Sequence, residues 1–301
     1  MYYKHSGRFS IGSLAIALCA GCAGALVLGY VYGRGTTYID DERFAFLATI
    51  AFGALIGLAA GYGSVLGKVR NQAVNLWVLG ATSVAALYVS WAAWVVAVFE
   101  HNRSETVGWL EFAQNPHLLW RAICFINQYG TWSLGKGDAT KGAALWTIWI
   151  CEAAIIIAIA MSVGYEVLRH YAFCERCESW CRRGAKFILS APQNTGLLKR
   201  ELEANDWRSL ESLTSGNKNA SHLEVYLNSC EQCRQLHTLS LTYVSVTRDK
   251  LRRVKVARTK IVQHLLIGLA QAENLKQLSI KVEQSSKLAP PKAWSATAGK
   301  K

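Results

Sequence analysis

The 301-residue chain has no Gly-rich phosphate loop, no HExxH pair and no defensible Ser/His/Asp set. Nucleotide hydrolysis, zinc peptidase chemistry and serine hydrolase chemistry therefore have no residues to stand on, and a non-enzymatic protein is expected. Acid is scarce as well, with 20 Asp and Glu against 33 Lys and Arg and a net charge of +13. Ionisable residues are missing above all from four long apolar runs, and these runs define the chain.

A hydrocarbon core of about 30 Å takes about 20 apolar residues in a helix. The runs 10–33, 44–66, 74–99 and 143–168 meet that length, so the sequence predicts a polytopic α-helical membrane protein with four transmembrane helices over residues 1–168. Lys4 and Arg8 precede the first run, Lys68 and Arg70 separate the second and third, and Arg169, Arg176, Arg182, Arg183 and Lys186 follow the fourth; Asp40, Asp41 and Glu42 sit between the first and second. By the positive-inside rule both termini are expected in the cytoplasm. The Ala- and Gly-rich spans suit a bacterial inner membrane. The first run is expected to be retained rather than cleaved as a signal peptide, because its apolar residues continue to Val31, past the length of a signal core.

Between the third and fourth spans, Asn115-Pro116 reads as a helix cap with Pro at the first position, and Leu119, Ile123 and Ile126 recur at helical spacing before Gly130. An amphipathic helix over 116–129 follows, lying on the outer membrane surface with Trp109, Trp120 and Trp132 as anchors or else packed back on the bundle. Trp91, Trp94, Trp146 and Trp149 form an aromatic belt at the outer interface. Gly53, Gly57 and Gly61 repeat every four residues, which bares one face of the second span for close helix packing. A tight hairpin with the first span is expected, and the same face could serve a second copy.

Glu152 is the one ionisable side chain well inside a span, roughly 13 Å from its start at about 1.5 Å per residue. Ser83 and Tyr88 of the third span are the expected neighbours. A structural, protonated carboxyl is one reading; a small transporter or ion channel that uses Glu152 as a proton or cation site is the alternative function. Cys19 and Cys22, three apart on the first helix, would be needed for a third class, a membrane thiol oxidoreductase.

Beyond Leu168 the chain turns soluble in character. Cys174-x2-Cys177 and Cys230-x2-Cys233 supply two CxxC knuckles, and a reducing cytosolic setting favours metal over disulfides. A helical insertion near 197–213 is expected between them, with strands at 223–227, 239–246 and 261–267, the last two joined by a basic connection, 248–260. Two knuckles that lead into antiparallel strands resemble the zinc-ribbon class of folds. The resemblance implies a C-terminal cytosolic α+β zinc-ribbon-like domain over 169–284, with structural zinc on Cys174, Cys177, Cys230 and Cys233. His170, His222 or His237 could replace one ligand, and Cys181 is a spare thiol. Four thiolates would saturate the metal, whose expected task is to fold a domain too small and polar to hold itself.

From Arg169 onward there are 23 Lys and Arg against 11 Asp and Glu, so nearly all of the net charge lies there. Arg248, Lys250, Arg252, Arg253, Lys255, Arg258 and Lys260 are the densest run. No aromatic residue interleaves it to stack bases, which disfavours nucleic acid. Contact with membrane lipid or an acidic partner is the simpler account. Residues 285–301 read as a disordered tail. The function expected is docking, assembly or sensing at the membrane surface, with a partner protein or a second copy.

Overall fold

A computed structural model describes residues 1–39, 41–102, 108–130, 139–248 and 254–288. The chain divides into two compact units: a helical unit, His5–Tyr171, and a cysteine unit, Met1–Lys4 with Ala172–Lys301.

The helical unit contains α1 (Ile11–Gly35), α2 (Glu42–Leu66), α3 (Gln72–Asn102), α4 (Trp109–Gln114), α5 (Pro116–Tyr129) and α6 (Ala143–Arg169). Helices α1, α2, α3 and α6 are long and apolar enough to cross a membrane. Local chemistry sets their ends. The Ser10 hydroxyl accepts the Ser13 N–H at 3.1 Å, and the Asp41 carboxylate accepts the Arg43 N–H at 2.7 Å, each satisfying a donor that the first helical turn leaves open. α5 starts at the expected cap, with the Leu118 N–H on the Asn115 side chain and Pro116 at its first position.

Packing departs from expectation in the choice of partners. The Gly53, Gly57 and Gly61 row faces α6, not α1: a Cβ at Gly57 would lie 2.5 Å from the Ala160 carbonyl oxygen, and one at Gly61 3.0 Å from the Gly164 Cα. α1 has its own small-residue row, Ala17, Gly21, Ala25, Gly29 and Gly33, all buried. Gly21 meets Thr82, Gly29 meets Ala86 and Val89, and Gly33 meets Ser90 and Ala93 of α3. α1 and α2 also touch, through Gly24 on Ala59 and Gly63 on Ala17 and Ala20. Small residues make close backbone approach possible, while the identity of the opposing helix is a long-range property.

α5 packs back onto the bundle. Leu119, Ala122, Ile123 and Ile126 are buried with Ala92, Val95 and Val96 of α3 and Leu145 and Trp149 of α6. The expected aromatic belt is part of the same cluster, with Trp91, Trp94 and Trp146 each edge-on to Trp149 at 4.9–5.8 Å between ring centres, an arrangement the ring quadrupoles favour. Trp109 meets Tyr30 and Trp120 meets Trp146; Trp132 and Asp40 lie outside the described residues.

The cysteine unit contains β1 (Phe173–Cys174), β2 (Ser179–Trp180), β3 (Arg182–Ser190), α7 (Thr195–Glu203), α8 (Arg208–Glu211), β4 (His222–Ser229), β5 (His237–Arg248), β6 (Val254–Ile267) and α9 (Leu269–Leu288). β1 and β2 form a two-stranded hairpin, and β3-β4-β5-β6 form an antiparallel sheet in that order. Leu189, Leu223, Val225, Leu227, Leu239 and Leu241 are buried on one face with Leu198, Leu202 and Leu210 of the two short helices and Ala272 and Leu275 of α9. The unit thus has an apolar core of its own, contrary to the expectation of a domain too polar to hold itself.

Three further expectations change. The helical insertion is two helices, interrupted at Asn205, whose φ of 62° ends a helix as a left-handed residue does. The basic run is not a connection: β5 ends at Arg248 and β6 begins at Val254, so Lys255, Arg258 and Lys260 are strand residues, while Lys250, Arg252 and Arg253 lie outside the described residues. Ser285–Leu288, expected in the tail, complete α9, and residues from 289 onward lie outside the described residues.

Candidate metal centre

Both knuckles are hairpin turns. The first joins β1 to β2, with Cys174 paired to Ser179; the second joins β4 to β5, with Ser229 paired to His237. Each turn ends on a left-handed residue directly after its second cysteine, Glu178 at φ 47° and Arg234 at φ 51°. Each turn also aims two backbone N–H groups at its first sulfur, from Arg176 and Cys177 to Cys174 and from Gln232 and Cys233 to Cys230. Two segments far apart in sequence therefore adopt one local geometry. Amides pointed at a sulfur favour its thiolate form, which accepts hydrogen bonds and donates none.

The four sulfurs lie within 4.8 Å of one another, with Cys174 and Cys233 3.5 Å apart. Cys174 and Cys230 are buried, and Cys177 and Cys233 are half-buried. Burial raises the pKa of Cys230, but the amides of Cys233 and Gln232 together with hydrogen bonds from Cys233 and Cys174 outweigh it and bring the thiol down to about 6, whereas burial and the neighbouring sulfurs hold Cys174 up against its own pair of amides. The fifth thiol, Cys181, is buried beside the cluster and is pushed up to about 12, by burial first and then by the neighbouring sulfurs Cys230, Cys174 and Cys233. Cys181 therefore packs as an apolar thiol, and its backbone N–H closes the first hairpin on the Ala172 carbonyl at 2.7 Å.

No family model, curated protein or solved structure matches the chain. The chemistry of the site therefore rests on its donors. Four thiolates at mutual contact can hold one metal ion, and once it is bound they leave no position for water or substrate.

The histidines considered as substitutes are engaged elsewhere. The His237 Nε2–H donates to the Arg234 carbonyl at 2.7 Å, which leaves Nδ1 to accept from the Ser229 hydroxyl at 2.9 Å. His222 bonds the Ala220 carbonyl at the far end of β4, about 23 Å of strand from the second knuckle. His170, in the helical unit, bonds the Glu166 carbonyl.

Residues that the sequence did not point to brace the centre. The Tyr3 hydroxyl accepts the Phe173 N–H at 2.9 Å and donates to the Phe173 carbonyl at 3.2 Å, next to Cys174. Met1 and Tyr3 in turn lie along β6: the Leu266 N–H donates to the Met1 carbonyl at 2.9 Å and the Tyr3 N–H to the His264 carbonyl at 2.8 Å. Arg176 reaches across to Gln235 at 2.7 Å, joining one knuckle to the other. The only signal in the sequence was an aromatic pair, Tyr2-Tyr3, ahead of the first basic flank.

In the helical unit, Glu152 does not meet Ser83 or Tyr88. Ser83 bonds the Leu79 carbonyl and Tyr88 the Ala113 carbonyl. The Tyr32 hydroxyl of α1 donates to Glu152 at 2.5 Å and lies 2.9 Å from the Thr49 hydroxyl of α2. One hydroxyl on α1 thus ties three helices together. Arg34 at the end of α1 pairs with Glu100 of α3. Cys19, Cys22 and Cys151 are exposed on the faces of their helices and make no disulfide.

Proposed function

We propose that this chain is a non-enzymatic, four-span membrane protein of a bacterial inner membrane, whose C-terminal module is organised by one structural zinc and serves to dock a partner protein or a second copy at the cytoplasmic face. The observation that carries the reading is the pair of matching knuckles that bring four sulfurs within 4.8 Å of one another. A saturated thiolate set favours structure over catalysis, and tetrahedral sulfur donors suit zinc. Reduced thiols also suit the cytosol.

Sidedness has a second support. Met1–Lys4 and Ala172 belong to one unit, so the chain leaves that unit before α1 and returns to it after α6. An even number of crossings meets this condition, and the basic flanks favour the cytoplasmic side. Expressed with C-terminal reporters, the chain fused to green fluorescent protein should be fluorescent and the chain fused to alkaline phosphatase inactive. An active phosphatase fusion would put the thiols in an oxidising compartment and overturn the reading.

A further inference from the structure

One hairpin of the sheet reverses its polarity along its length. In the body of the sheet, Leu239, Leu241 and Tyr243 face the core and alternate with Thr238, Ser240 and Thr242 on the opposite face. β4 ends its pairing with β5 at His222 opposite Val244, so from Ser245 onward β5 and β6 continue as a two-stranded ribbon. On this ribbon the core-side face turns polar, with Ser245 and Thr247 opposite Ala257 and Lys255. The aliphatic side chains move to the other face: Val244 and Val246 on β5, and Val254 and Val256 on β6, which the register brings into line by skipping Ile261. Val246 pairs directly with Val256, and Val244 pairs with Arg258.

The β6 edge of the ribbon is open to solvent: all residues from Val254 to Lys260 are exposed, with Val254 at 60% and Val256 at 54%, while Val246 of β5 is half-buried and Val244 is buried. Single exposed valines are ordinary, but two exposed valines on β6, Val254 and Val256, continued across the pair by the half-buried Val246 and sharing a face with Arg258 and Lys260, make an amphipathic surface with cations. Apolar area together with cations is the composition that binds an anionic bilayer surface. The chain also attaches this unit to apolar helices at both ends, through residues 5–10 before α1 and directly after Arg169, so bilayer lipid is the polyanion at highest local concentration.

We infer that the face of the β5–β6 ribbon formed by Val246, Val254, Val256 and Arg258 docks on anionic phospholipid, with the valines entering between headgroups and the cations on phosphate. This deepens the membrane-surface reading above and does not depend on the metal.

The test uses the full chain with photoreactive p-benzoylphenylalanine placed at Val256 or, on the opposite face, at Ala257. Each protein is reconstituted in phosphatidylcholine nanodiscs with or without phosphatidylglycerol, with a duplex oligonucleotide in the buffer. Irradiation should join the probe at Val256 to lipid in the anionic discs at least about fivefold more than the probe at Ala257, and Arg258→Ser should lower that yield about fivefold, the effect of one cation near a charged surface. Equal yields at the two positions, equal yields with and without phosphatidylglycerol, or adducts to the oligonucleotide or to a second copy would each overturn it. Both leaflets are open in a nanodisc and metal content can be read on the same sample, so failure here is distinct from failure of the sidedness or of the metal centre.

Discussion

Replacing Cys230 and Cys233 with serine is expected to release the knuckle end of the cysteine unit while leaving the far part of its sheet folded. The two parts are held by different interactions. Leu223, Val225, Leu227, Leu239 and Leu241 belong to a large apolar cluster shared with α7 and α9. The knuckle end has a small cluster in which the cysteines themselves are the main members, with Ala172, Tyr3 and Leu236, and beside it the buried Phe173 edge-on to Trp180. β1 and β2 are two residues each, and an isolated hairpin of that length has no stability of its own. Structural zinc in small domains contributes about 10–16 kcal/mol, more than the cluster around it could supply. Amide exchange measured by mass spectrometry on the full chain should therefore rise at least about a thousandfold over 172–181 and 230–237, since every 1.4 kcal/mol of opening free energy is about tenfold. Peptides covering Leu223–Leu227 and Leu239–Leu241 should keep most of their protection. Unchanged exchange at the knuckles would mean that the four sulfurs organise nothing.

Gly57→Leu is expected to destabilise the helical unit strongly. A Cβ at that position would sit 2.5 Å from the Ala160 carbonyl oxygen, 3.0 Å from the Ala160 Cα and 3.0 Å from the Val163 Cβ. Two of these are backbone atoms, which cannot rotate away, so α6 must move off α2. Displacing it also strains the bond from Glu152 on α6 to Tyr32 on α1. Overpacking a close-packed seam costs about 1–3 kcal/mol when side chains can adjust, and backbone contact puts this case at the upper end. Gly80→Leu on α3 is the matched control, because a Cβ there meets nothing within 4 Å and leucine favours helix over glycine by up to about 1 kcal/mol. Thermal unfolding in detergent should show a clear loss for Gly57→Leu and none for Gly80→Leu. Equal tolerance of both would contradict the α2–α6 contact.

The parts of this structure that were legible in the sequence are those set by local rules. Span lengths follow from bilayer thickness, the bounds of α5 from Asn115, Pro116 and Gly130, and the pairing of the two CxxC segments from the chemistry of four thiols. What escaped is set by distant contacts. A glycine every fourth residue marks a bare face of α2 but does not say that α6 will cover it. Glu152 advertises a need for a partner, yet Tyr32 lies 120 positions earlier on another helix. Tyr3 braces the four-cysteine cluster from a position 170 residues before Phe173. α9 was missed for a different reason: its buried positions, Ala272, Leu275 and Val282, are few and diluted by polar neighbours, so its helical period is weak. The ribbon was misread as a connection because its valines alternate with cations, a pattern that fits a strand only once its pairing to β5 is known.

Elemental mass spectrometry of the detergent-purified full chain, beside the Cys230→Ser/Cys233→Ser variant, tests the central claim most directly. About one zinc per chain, lost in the variant, is expected. Folded wild-type protein that carries no zinc, or a variant that keeps it, would contradict the assignment of Cys174, Cys177, Cys230 and Cys233 as its ligands.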